Sequence, residues 1–390
     1  MKLEKLMSTA FLVPKDDPAS DTCRWGLPIL LWGPPGIGKS ARIDMGAKMM
    51  GLSVETVYAA TKQPEDLSGA PVPDGKGGVN VLCVLSAARR LMQDQVGVLF
   101  IDELSTAAPA VQGAFLSLVL EGRVGDEQLP PGIRIIGAAN PPENAAGGWD
   151  LEPPMANRFM HFTVSAPPAD EWVKWLFGER DEDPEMVERG EERIRQGWSA
   201  AFSRAKGLIG GFMTKKKSSL YNLPPEGNES RGRAWQSPRT WEMATRSYAA
   251  CLALKHDELC FDFVQACVGE GAAAELAEYI KEANLPDPLD MLISGWKPDK
   301  RRLDIVFAAY ASMAAFITTQ PESEKKRLGP NAWKRLKEAQ ELGLTDLVIS
   351  PARVMVIGGL RPDVSPEIHE MAIPVLATFG KKNFGKYVKA

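Results

Sequence analysis

Up to about residue 165, short runs of consecutive apolar residues alternate with longer segments of mixed polarity. Such runs, bounded by glycine, proline or polar residues, are typical of strands buried on both faces of a parallel sheet. Their spacing leaves room for helices between them, and so the pattern predicts an α/β domain over residues 27–167. We predict five strands, near residues 27–33, 53–60, 97–102, 133–139 and 161–165.

Beyond residue 167 the pattern becomes helical. We predict an all-helical domain over residues 168–275, interrupted by a polar, basic loop at 211–236, and a helical extension over residues 276–390. Residues 1–26 are predicted to form a short helical start and a polar linker. The apolar-rich run at 305–317 is too short to cross a bilayer, and it predicts a buried helix.

Composition limits the classes of partner. The chain has 46 Lys and Arg against 50 Asp and Glu, and this net charge of -4 gives no global reason to expect a polyanion. Five cysteines without a C-x-x-C pair predict reduced thiols in a cytoplasmic protein rather than a disulfide framework or a zinc site. No signal-peptide pattern is found, so no membrane partner is expected. His161, His256 and His369 lie far apart in sequence and are expected to be structural.

The segment "GPPGIGKS", residues 33–40, follows the first predicted strand and precedes a stretch compatible with a helix ending at Gly51. It matches G-x-x-x-x-G-K-[ST], a loop whose glycines let backbone N–H groups converge on phosphates. Lys39 would neutralise the outer phosphates, and the hydroxyl of Ser40 would bind Mg²⁺. The predicted nucleotide-binding residues are Gly33, Pro34, Pro35, Gly36, Ile37, Gly38, Lys39, Ser40 and Ala41.

Two later strands end in polar residues that suit hydrolysis. Asp102 would hold Mg²⁺ through water, and Glu103 would accept the proton of the attacking water as general base. The same acidic pair could simply cap the next helix. Asn140 would donate to the γ-phosphate and orient water, although an asparagine before two prolines is also typical of a turn.

In this order, "GPPGIGKS", "VLFIDE" and "IIGAAN" resemble the Walker A, Walker B and sensor 1 motifs of an AAA+ ATPase. The segments "QPEDLSGAPVPDG" and "LSLVLEGRVGDEQLPPGIRII" are most similar to the MoxR-like and dynein-related branch. The resemblance covers roughly residues 25–270. It implies a P-loop AAA+ core with a five-stranded parallel sheet, followed by an all-helical lid and a helical C-terminal extension. It also implies binding of ATP and Mg²⁺ and hydrolysis of ATP.

The resemblance extends to two arginines. "LEPPMANRFMHF" resembles the segment that carries an arginine finger, so Arg158 is expected to reach the γ-phosphate of a neighbouring subunit, which can raise the rate by ~10³ to 10⁵. Arg123 is a weaker candidate for this contact, and a salt bridge within the subunit is the alternative for Arg158. "WQSPRTWEMATRSYA" resembles the sensor 2 helix, so Arg239 is expected to reach the phosphates from the lid side, or else to be a solvated helix residue.

The inserts at 75–85 and 122–132 bear on the partners. The second has the turn-rich composition of a hairpin, and in similar proteins such inserts line a central pore or contact the client. The resemblance implies a homo-oligomeric ring, expected to be a hexamer, that remodels or activates protein clients with a partner carrying a von Willebrand factor A domain. A nucleic-acid motor and a slow nucleotide-gated binding module remain alternatives. The basic residues of the loop 211–236 could contact nucleic acid or be solvated, and they are Lys215, Lys216, Lys217, Arg231 and Arg233.

Overall fold

The computed structural model describes residues 3–83, 85–141, 149–177, 183–283 and 285–379. The predicted segments 1–26, 75–85 and 276–390 therefore each contain residues that lie outside the described ranges. In the described ranges, the strands are β1 (Ile29–Trp32), β2 (Val54–Tyr58), β3 (Ala70–Pro73), β4 (Val79–Leu82), β5 (Val96–Asp102), β6 (Arg123–Val124), β7 (Glu127–Gln128), β8 (Gly132–Ala139) and β9 (Met160–Thr163).

The α-helices of the same ranges are α1 (Leu3–Phe11), α2 (Lys39–Met49), α3 (Pro64–Ser68), α4 (Ser86–Asp94), α5 (Pro109–Glu121), α6 (Pro153–Ala156), α7 (Ala169–Leu176), α8 (Met186–Lys215), α9 (Pro238–Leu254), α10 (Cys260–Val268), α11 (Glu270–Ala283), α12 (Pro288–Ser294), α13 (Leu303–Thr318), α14 (Glu322–Glu341), α15 (Thr345–Ile357) and α16 (Pro366–Thr378). No helix in the described part of the chain is long and apolar enough to cross a bilayer.

Five strands form one parallel sheet in the order β2-β5-β8-β1-β9. The prediction of a five-stranded parallel sheet is confirmed. Because all five strands run in the same direction, the residues that follow them meet at one edge of the sheet. After β1 the chain crosses to β2 at one edge of the sheet, and it then returns through β5 to β8, which pairs with β1. The strand order therefore reverses at β1 and β8. Ligands of open α/β sheets bind at such a reversal, outside the carboxyl ends of the strands.

The sheet is buried because its strands are continuously apolar. Every residue of β1 is buried, and so are five successive residues of β5. Helices α4 and α5 contribute Leu91 and Phe115 to the core on one face. At about 25 cal/mol per Å² of buried apolar surface, this core is the main stabilising contribution to the unit.

The amino-terminal segment is packed rather than a free linker. Helix α1 buries Leu3, Leu6 and Met7, whose spacing of three and four residues places them on one helix face. The Met7 side chain lies so close to Gly46 of α2 that a Cβ there would come within 3.3 Å of it. Helix α1 thus belongs to the fold of the α/β unit.

Two small hairpins stand beside each other, β3 with β4 and β6 with β7. The backbone N–H of Asp126 donates to the carbonyl of Val81 at 2.9 Å, and the Asp126 carboxylate accepts from the N–H of Val81 at 2.8 Å. The hairpin predicted within 122–132 is therefore present. Within the predicted insert, residues 79–82 pair with residues 70–73 as a second hairpin, a pairing that the sequence did not indicate.

Two compact units divide the chain. The first is Met1–Arg195 with Leu220–Ala273, and the second is Gln196–Ser219 with Ala274–Ala390. In the second unit the apolar run at 305–317 lies in α13, which buries Val306, Tyr310 and Ile317 as predicted. Helix α8 continues through Lys215, so the polar segment predicted from 211 begins later than expected. The domain boundaries drawn from the sequence remain predictions.

Candidate nucleotide-binding site

The loop between β1 and α2 has the backbone of a phosphate cradle. Gly36 and Gly38 both have a φ of +79°, in the left-handed region that glycine adopts without strain. Helix α2 begins at Lys39, and its N-cap residue Gly38 supplies no side-chain cap. The first-turn N–H groups of α2 are therefore left for a ligand, and the helix dipole favours an anion there.

Lys39 folds back into this loop. Its ammonium donates to the carbonyls of Gly33 at 2.7 Å and Pro34 at 3.0 Å, and to the Oδ1 of Asn140 at 2.8 Å. Partial burial lowers the pKa of Lys39, and the Asp102 carboxylate acts in the opposite direction. The cation is thus held at the phosphate position with Asn140 already in contact.

Ser40 and Asp102 form the adjacent half of the site. The Ser40 hydroxyl donates to Oδ2 of Asp102 at 2.8 Å, which joins the first turn of α2 to the end of β5. A hydroxyl and a carboxylate oxygen at this spacing suit Mg²⁺, which takes one or two protein oxygens together with water and phosphate. Among the described residues, no three His, Cys, Asp or Glu side chains gather at a metal site. The donor set therefore fits Mg²⁺ bound together with a phosphate, rather than an ion held by protein alone.

Glu103 follows Asp102 in a strained conformation. Its φ of +57° and ψ of 38° lie in the left-handed region, and its side chain is exposed. The two other described non-glycine residues with positive φ, Gln95 and Lys255, follow helix ends, where this conformation is common. Such a conformation costs of order 1 kcal/mol and is typical of functional positions.

Asn140 is fixed by Ser105. The backbone N–H of Asn140 donates to the Ser105 hydroxyl at 3.2 Å, and that hydroxyl donates to the carbonyl of Asn140 at 3.3 Å. Ser105 is 3% exposed, so this contact is shielded from water. Sequence reasoning missed this role, because nothing distinguishes a serine two residues after an acidic pair.

A cavity of about 550 Å³ opens beside the loop. Its lining is mainly apolar and includes Ile37, Met45 and Trp172, with the carboxylates of Glu4 and Glu171 among the polar groups. This size and character are typical of a site for a small ligand with an aromatic group. Trp172 is 49% exposed, so a planar ring can stack on it.

Arg158 lies away from this site. Met160, two residues later, pairs with Ile29 at the start of β1, and its N–H donates to the carbonyl of Pro28 at 2.8 Å. Arg158 is therefore at the amino end of the strands, whereas the phosphate loop follows their carboxyl end. At about 3.3 Å per residue, the four residues of β1 alone span roughly 10 Å. Arg158 cannot complete the site of its own subunit from this position.

Arg239 lies near Arg158 rather than near Lys39. The N-cap of α9, Ser237, donates its hydroxyl to Oδ1 of Asn157 at 2.9 Å, which places the start of α9 beside the Arg158 segment. Burial, and secondarily the nearby charge of Arg239, lower the pKa of Arg158. The expectation that Arg239 reaches the phosphates from the lid side stays a prediction.

Three buried side-chain donors in residues 157–235 lack acceptors among the described residues. The Nδ2 of Asn157, the Nε of Arg158 and the Nε1 of Trp235 are buried without an acceptor. One guanidinium nitrogen of Arg158 donates to the carbonyl of Pro154, so the side chain lies against α6. Buried N–H groups without acceptors each cost about 1–3 kcal/mol. Arg158 therefore has an N–H group for which its own subunit supplies no acceptor.

The other basic residues are largely engaged within the chain. Arg123, on the β6–β7 hairpin, lies 4.0 Å from Asp126. Lys215 forms an ion pair with Glu282 at 3.1 Å, and Lys216 pairs with Glu275. These contacts favour the interpretation of the basic segment as a set of internally balanced charges.

The residue that sequence reasoning underrated is His161. Its Nδ1 accepts from the indole N–H of Trp32 at 2.8 Å, and its Nε2 donates to the carbonyl of Ala156 at 2.8 Å. Burial lowers its pKa to about 4, so the ring is neutral. The Arg233 guanidinium lies 3.6 Å from the centre of the Trp32 ring. A lone histidine between apolar residues carries no signal for such contacts.

Comparison with known proteins agrees with the site. Residues 28–159 match the family described as AAA domain, dynein-related subfamily. Midasin from Giardia intestinalis is 30% identical over 149 residues, which are 36% of this chain and 3% of that protein, so the chain spans a very small part of this relative. A crystal structure of a candidate ATPase from Cytophaga hutchinsonii is 16% identical, covering 73% of this chain and 89% of that one. Its TM-score of 0.45 does not by itself establish a shared fold.

Proposed function

We propose, from the premise that residues 28–159 form an AAA domain of the dynein-related subfamily, that this protein hydrolyses ATP. The observation that carries the proposal is the contact of Lys39 with Asn140 beside the contact of Ser40 with Asp102. Four side chains from two strand ends and one helix start meet where a phosphate would lie. Binding alone would need only the loop, whereas this set also includes groups that act on water.

Each residue then has a defined task. Lys39 and the free N–H groups of α2 bind the phosphates, while Ser40 and Asp102 hold Mg²⁺. When bound, Mg²⁺ neutralises charge on the phosphate oxygens. Glu103 accepts a proton from the attacking water, and Asn140 holds that water and the γ-phosphate in line. Ser105 keeps Asn140 in place.

Two substitutions test hydrolysis separately from binding. We expect Glu103→Gln to keep nucleotide affinity within a few-fold and to lower kcat by at least about 10²-fold, because only the proton acceptor is lost. Lys39→Ala should abolish both binding and turnover. The matched controls are Lys48→Ala, an exposed lysine of the same helix, and Glu341→Gln, an exposed acid of α14. Full activity in Glu103→Gln would refute the assignment of the base.

The apolar cavity beside the loop would receive the base of the nucleotide. A purine over Trp172 should quench its fluorescence, since the ring is partly exposed and lines the cavity. The nucleotide-induced change should disappear in Trp172→Phe and persist in Trp296→Phe, a control from the second unit. Persistence of the full change in Trp172→Phe would place the base elsewhere.

We also propose that the active site is shared between subunits of a homo-oligomeric ring, which by family resemblance would be a hexamer. Arg158 and Arg239 lie near each other at the amino end of the strands, and the Nε of Arg158 has no acceptor in its own subunit. They would therefore act together on the γ-phosphate held by the next subunit. This assignment is an alternative to the expected reach of Arg239 into its own site.

Mixing inactive variants tests the shared site. Arg158→Ala keeps its own loop but cannot serve a neighbour, whereas Glu103→Gln cannot hydrolyse but still presents Arg158. Each should be inactive alone, and the mixture should regain at least about a tenth of the normal activity. Arg89→Ala, an exposed arginine of α4, is the control that should stay active. A mixture as inactive as its components would refute a shared site.

The work done by hydrolysis would be remodelling or activation of a protein client, in the cytoplasm and with a von Willebrand factor A partner by family resemblance. The paired hairpins expose Val72 and Val79, which could contact an unfolded segment. We expect unfolded casein to stimulate turnover, and Val79→Ser to reduce that stimulation without lowering the basal rate. Stimulation by DNA at low salt, lost as salt rises, would instead support the nucleic-acid motor. The internal ion pairs of Lys215 and Lys216 weigh against it.

A further inference from the structure

The His161 side chain forms hydrogen bonds to residues near opposite ends of the parallel strands. Trp32 is the last residue of β1 and directly precedes Gly33 of the phosphate loop, and its indole N–H reaches His161 on β9. The other ring nitrogen of His161 reaches the carbonyl of Ala156, the last residue of α6 and two residues before Arg158. One side chain thus links the strand that carries the loop to the segment that carries the arginine.

The direction of both hydrogen bonds is fixed by chemistry. An indole nitrogen only donates and a carbonyl oxygen only accepts, so Nδ1 must be unprotonated and Nε2 must carry the proton. Trp32 is 3% exposed, which keeps water from replacing it as donor. A ring held at both nitrogens has one orientation, and movement of either partner requires movement of the other or loss of a buried hydrogen bond.

The link continues to both arginines. Asn157 follows Ala156 and accepts the hydroxyl proton of Ser237, the N-cap of the helix that carries Arg239. Arg233, which precedes α9 in the chain, places its guanidinium over the Trp32 ring. The backbone at Ala156 and Asn157 is therefore tied both to the phosphate-loop strand and to α9.

We propose that Trp32 and His161 are positioning residues that set Arg158 relative to the phosphate loop of the same subunit. The nucleotide bound by one subunit then determines how that subunit presents Arg158 to the next. This inference rests on the shared site proposed above. A displacement of about 1 Å in a group that contacts the reacting phosphate can lower a rate by about 10²-fold, so a small shift of the Ala156 carbonyl is enough.

The experiment uses mixed assemblies in which one subunit hydrolyses and the other supplies Arg158. The hydrolysing subunit carries Arg158→Ala, and the supplying subunit carries Glu103→Gln. Trp32→Phe, which removes the indole N–H and keeps an aromatic ring, is introduced into one partner at a time. His161→Gln is the second variant, used in the same way and in place of Trp32→Phe if that variant does not fold. Trp296→Phe, at a tryptophan of the second unit, is the control for the effect of replacing a tryptophan as such.

We expect Trp32→Phe in the supplying subunit to lower kcat at saturating ATP at least about 10-fold. The affinity of the hydrolysing subunit for nucleotide should stay within about twofold. In the hydrolysing subunit, Trp32→Phe should change kcat by less than about twofold. The double variant Trp32→Phe with His161→Gln should lose no more than either single variant, because both remove the same connection.

The alternative results are distinguishable. If Trp32→Phe lowers kcat equally whether it is in the hydrolysing or the supplying subunit, Trp32 has a general packing role and the inference is overturned. An unchanged kcat with Trp32→Phe in the supplying subunit would also overturn it. Both results leave the shared site intact, because the unmodified mixture is active. If the unmodified mixture is itself inactive, the shared site fails and this inference fails with it.

Discussion

The ammonium of Lys39 lies 2.8 Å from the Oδ1 of Asn140, the side chain that follows the neighbouring strand β8. In this arrangement the amide holds the cation that a phosphate would otherwise contact. Nucleotide binding must transfer Lys39 from Asn140 and the loop carbonyls to phosphate oxygens. The Asn140 amide is released by the same event, and it becomes available to the reacting groups.

Asn140→Ala should separate binding from turnover. We expect kcat to fall by about 10²-fold, because the lost amide acts on the reacting phosphate and its water. The Kd for nucleotide should change by less than about threefold, since Lys39 and the N–H groups of α2 remain to bind the phosphates. Steady-state kinetics and equilibrium binding measure the two quantities. Asn80→Ala, on an exposed hairpin position, should change neither, and an equal loss in both quantities for Asn140→Ala would contradict the assignment.

Ser40→Ala should alter the requirement for metal. The hydroxyl that now contacts Asp102 would be absent from the proposed Mg²⁺ site. We expect about 10-fold more free Mg²⁺ for the half-maximal rate of ATP hydrolysis. A titration of Mg²⁺ at fixed nucleotide gives this value, with Ser68→Ala of α3 as control. An unchanged Mg²⁺ requirement would remove Ser40 from the site.

Glu103→Gly should make the protein more stable and inactive. Glycine adopts the φ of +57° without the strain that a side chain causes. We expect the free energy of unfolding to rise by about 0.5–1 kcal/mol, measured by urea denaturation. Gln95→Gly and Lys255→Gly, at φ of 65° and 61°, are matched controls that should give similar stabilisation and keep activity. Loss of stability in Glu103→Gly alone would argue against strain at this position.

His161 should make stability depend on pH. Its pKa is about 4 in the folded chain against an ordinary value of 6.5, because burial disfavours the charged ring. Below pH 6.5 the unfolded chain takes up a proton that the folded chain does not, so the free energy of unfolding falls as pH drops from 6.5 towards 4. Allowing for residual contact of the ring with solvent, we expect a loss of about 2 kcal/mol over this window.

Comparison with His161→Gln isolates this contribution, because glutamine does not titrate. Above pH 7 the wild-type protein should be the more stable of the two, since it keeps both hydrogen bonds. The difference between the two unfolding midpoints should narrow at pH 5. A difference that stays constant from pH 7 to 5 would contradict the lowered pKa.

The nucleotide site was predictable because its signals are local. The apolar runs that end before Gly33, Asp102 and Asn140 predict strands, and parallel strands bring their carboxyl ends together whatever the rest of the chain does. Even the spacing of the loop motif reports backbone geometry, since Gly36 and Gly38 adopt the φ values that the motif requires. Each of these inferences uses fewer than about ten residues.

Other features depend on contacts between distant parts of the chain. The closeness of Arg239 to Arg158 follows from a single hydroxyl of Ser237 on Asn157, which no periodicity encodes. The bond of His161 to Trp32 requires the register of β1 against β9. Helix α8 passes through Gly210 and Gly211 because the close approach of Phe307 and Tyr279 favours residues without a Cβ, so these glycines do not end the helix.

The opposite placement of the phosphate loop and Arg158 along the strands restricts how copies of this chain can associate. A two-fold dimer brings identical surfaces face to face, so it cannot satisfy both half-sites of each copy when they are on opposite sides. If the site is shared between subunits as proposed, successive copies would instead associate head to tail. Whether such an assembly closes into a ring or continues as a filament depends on the rotation and the translation that relate one copy to the next.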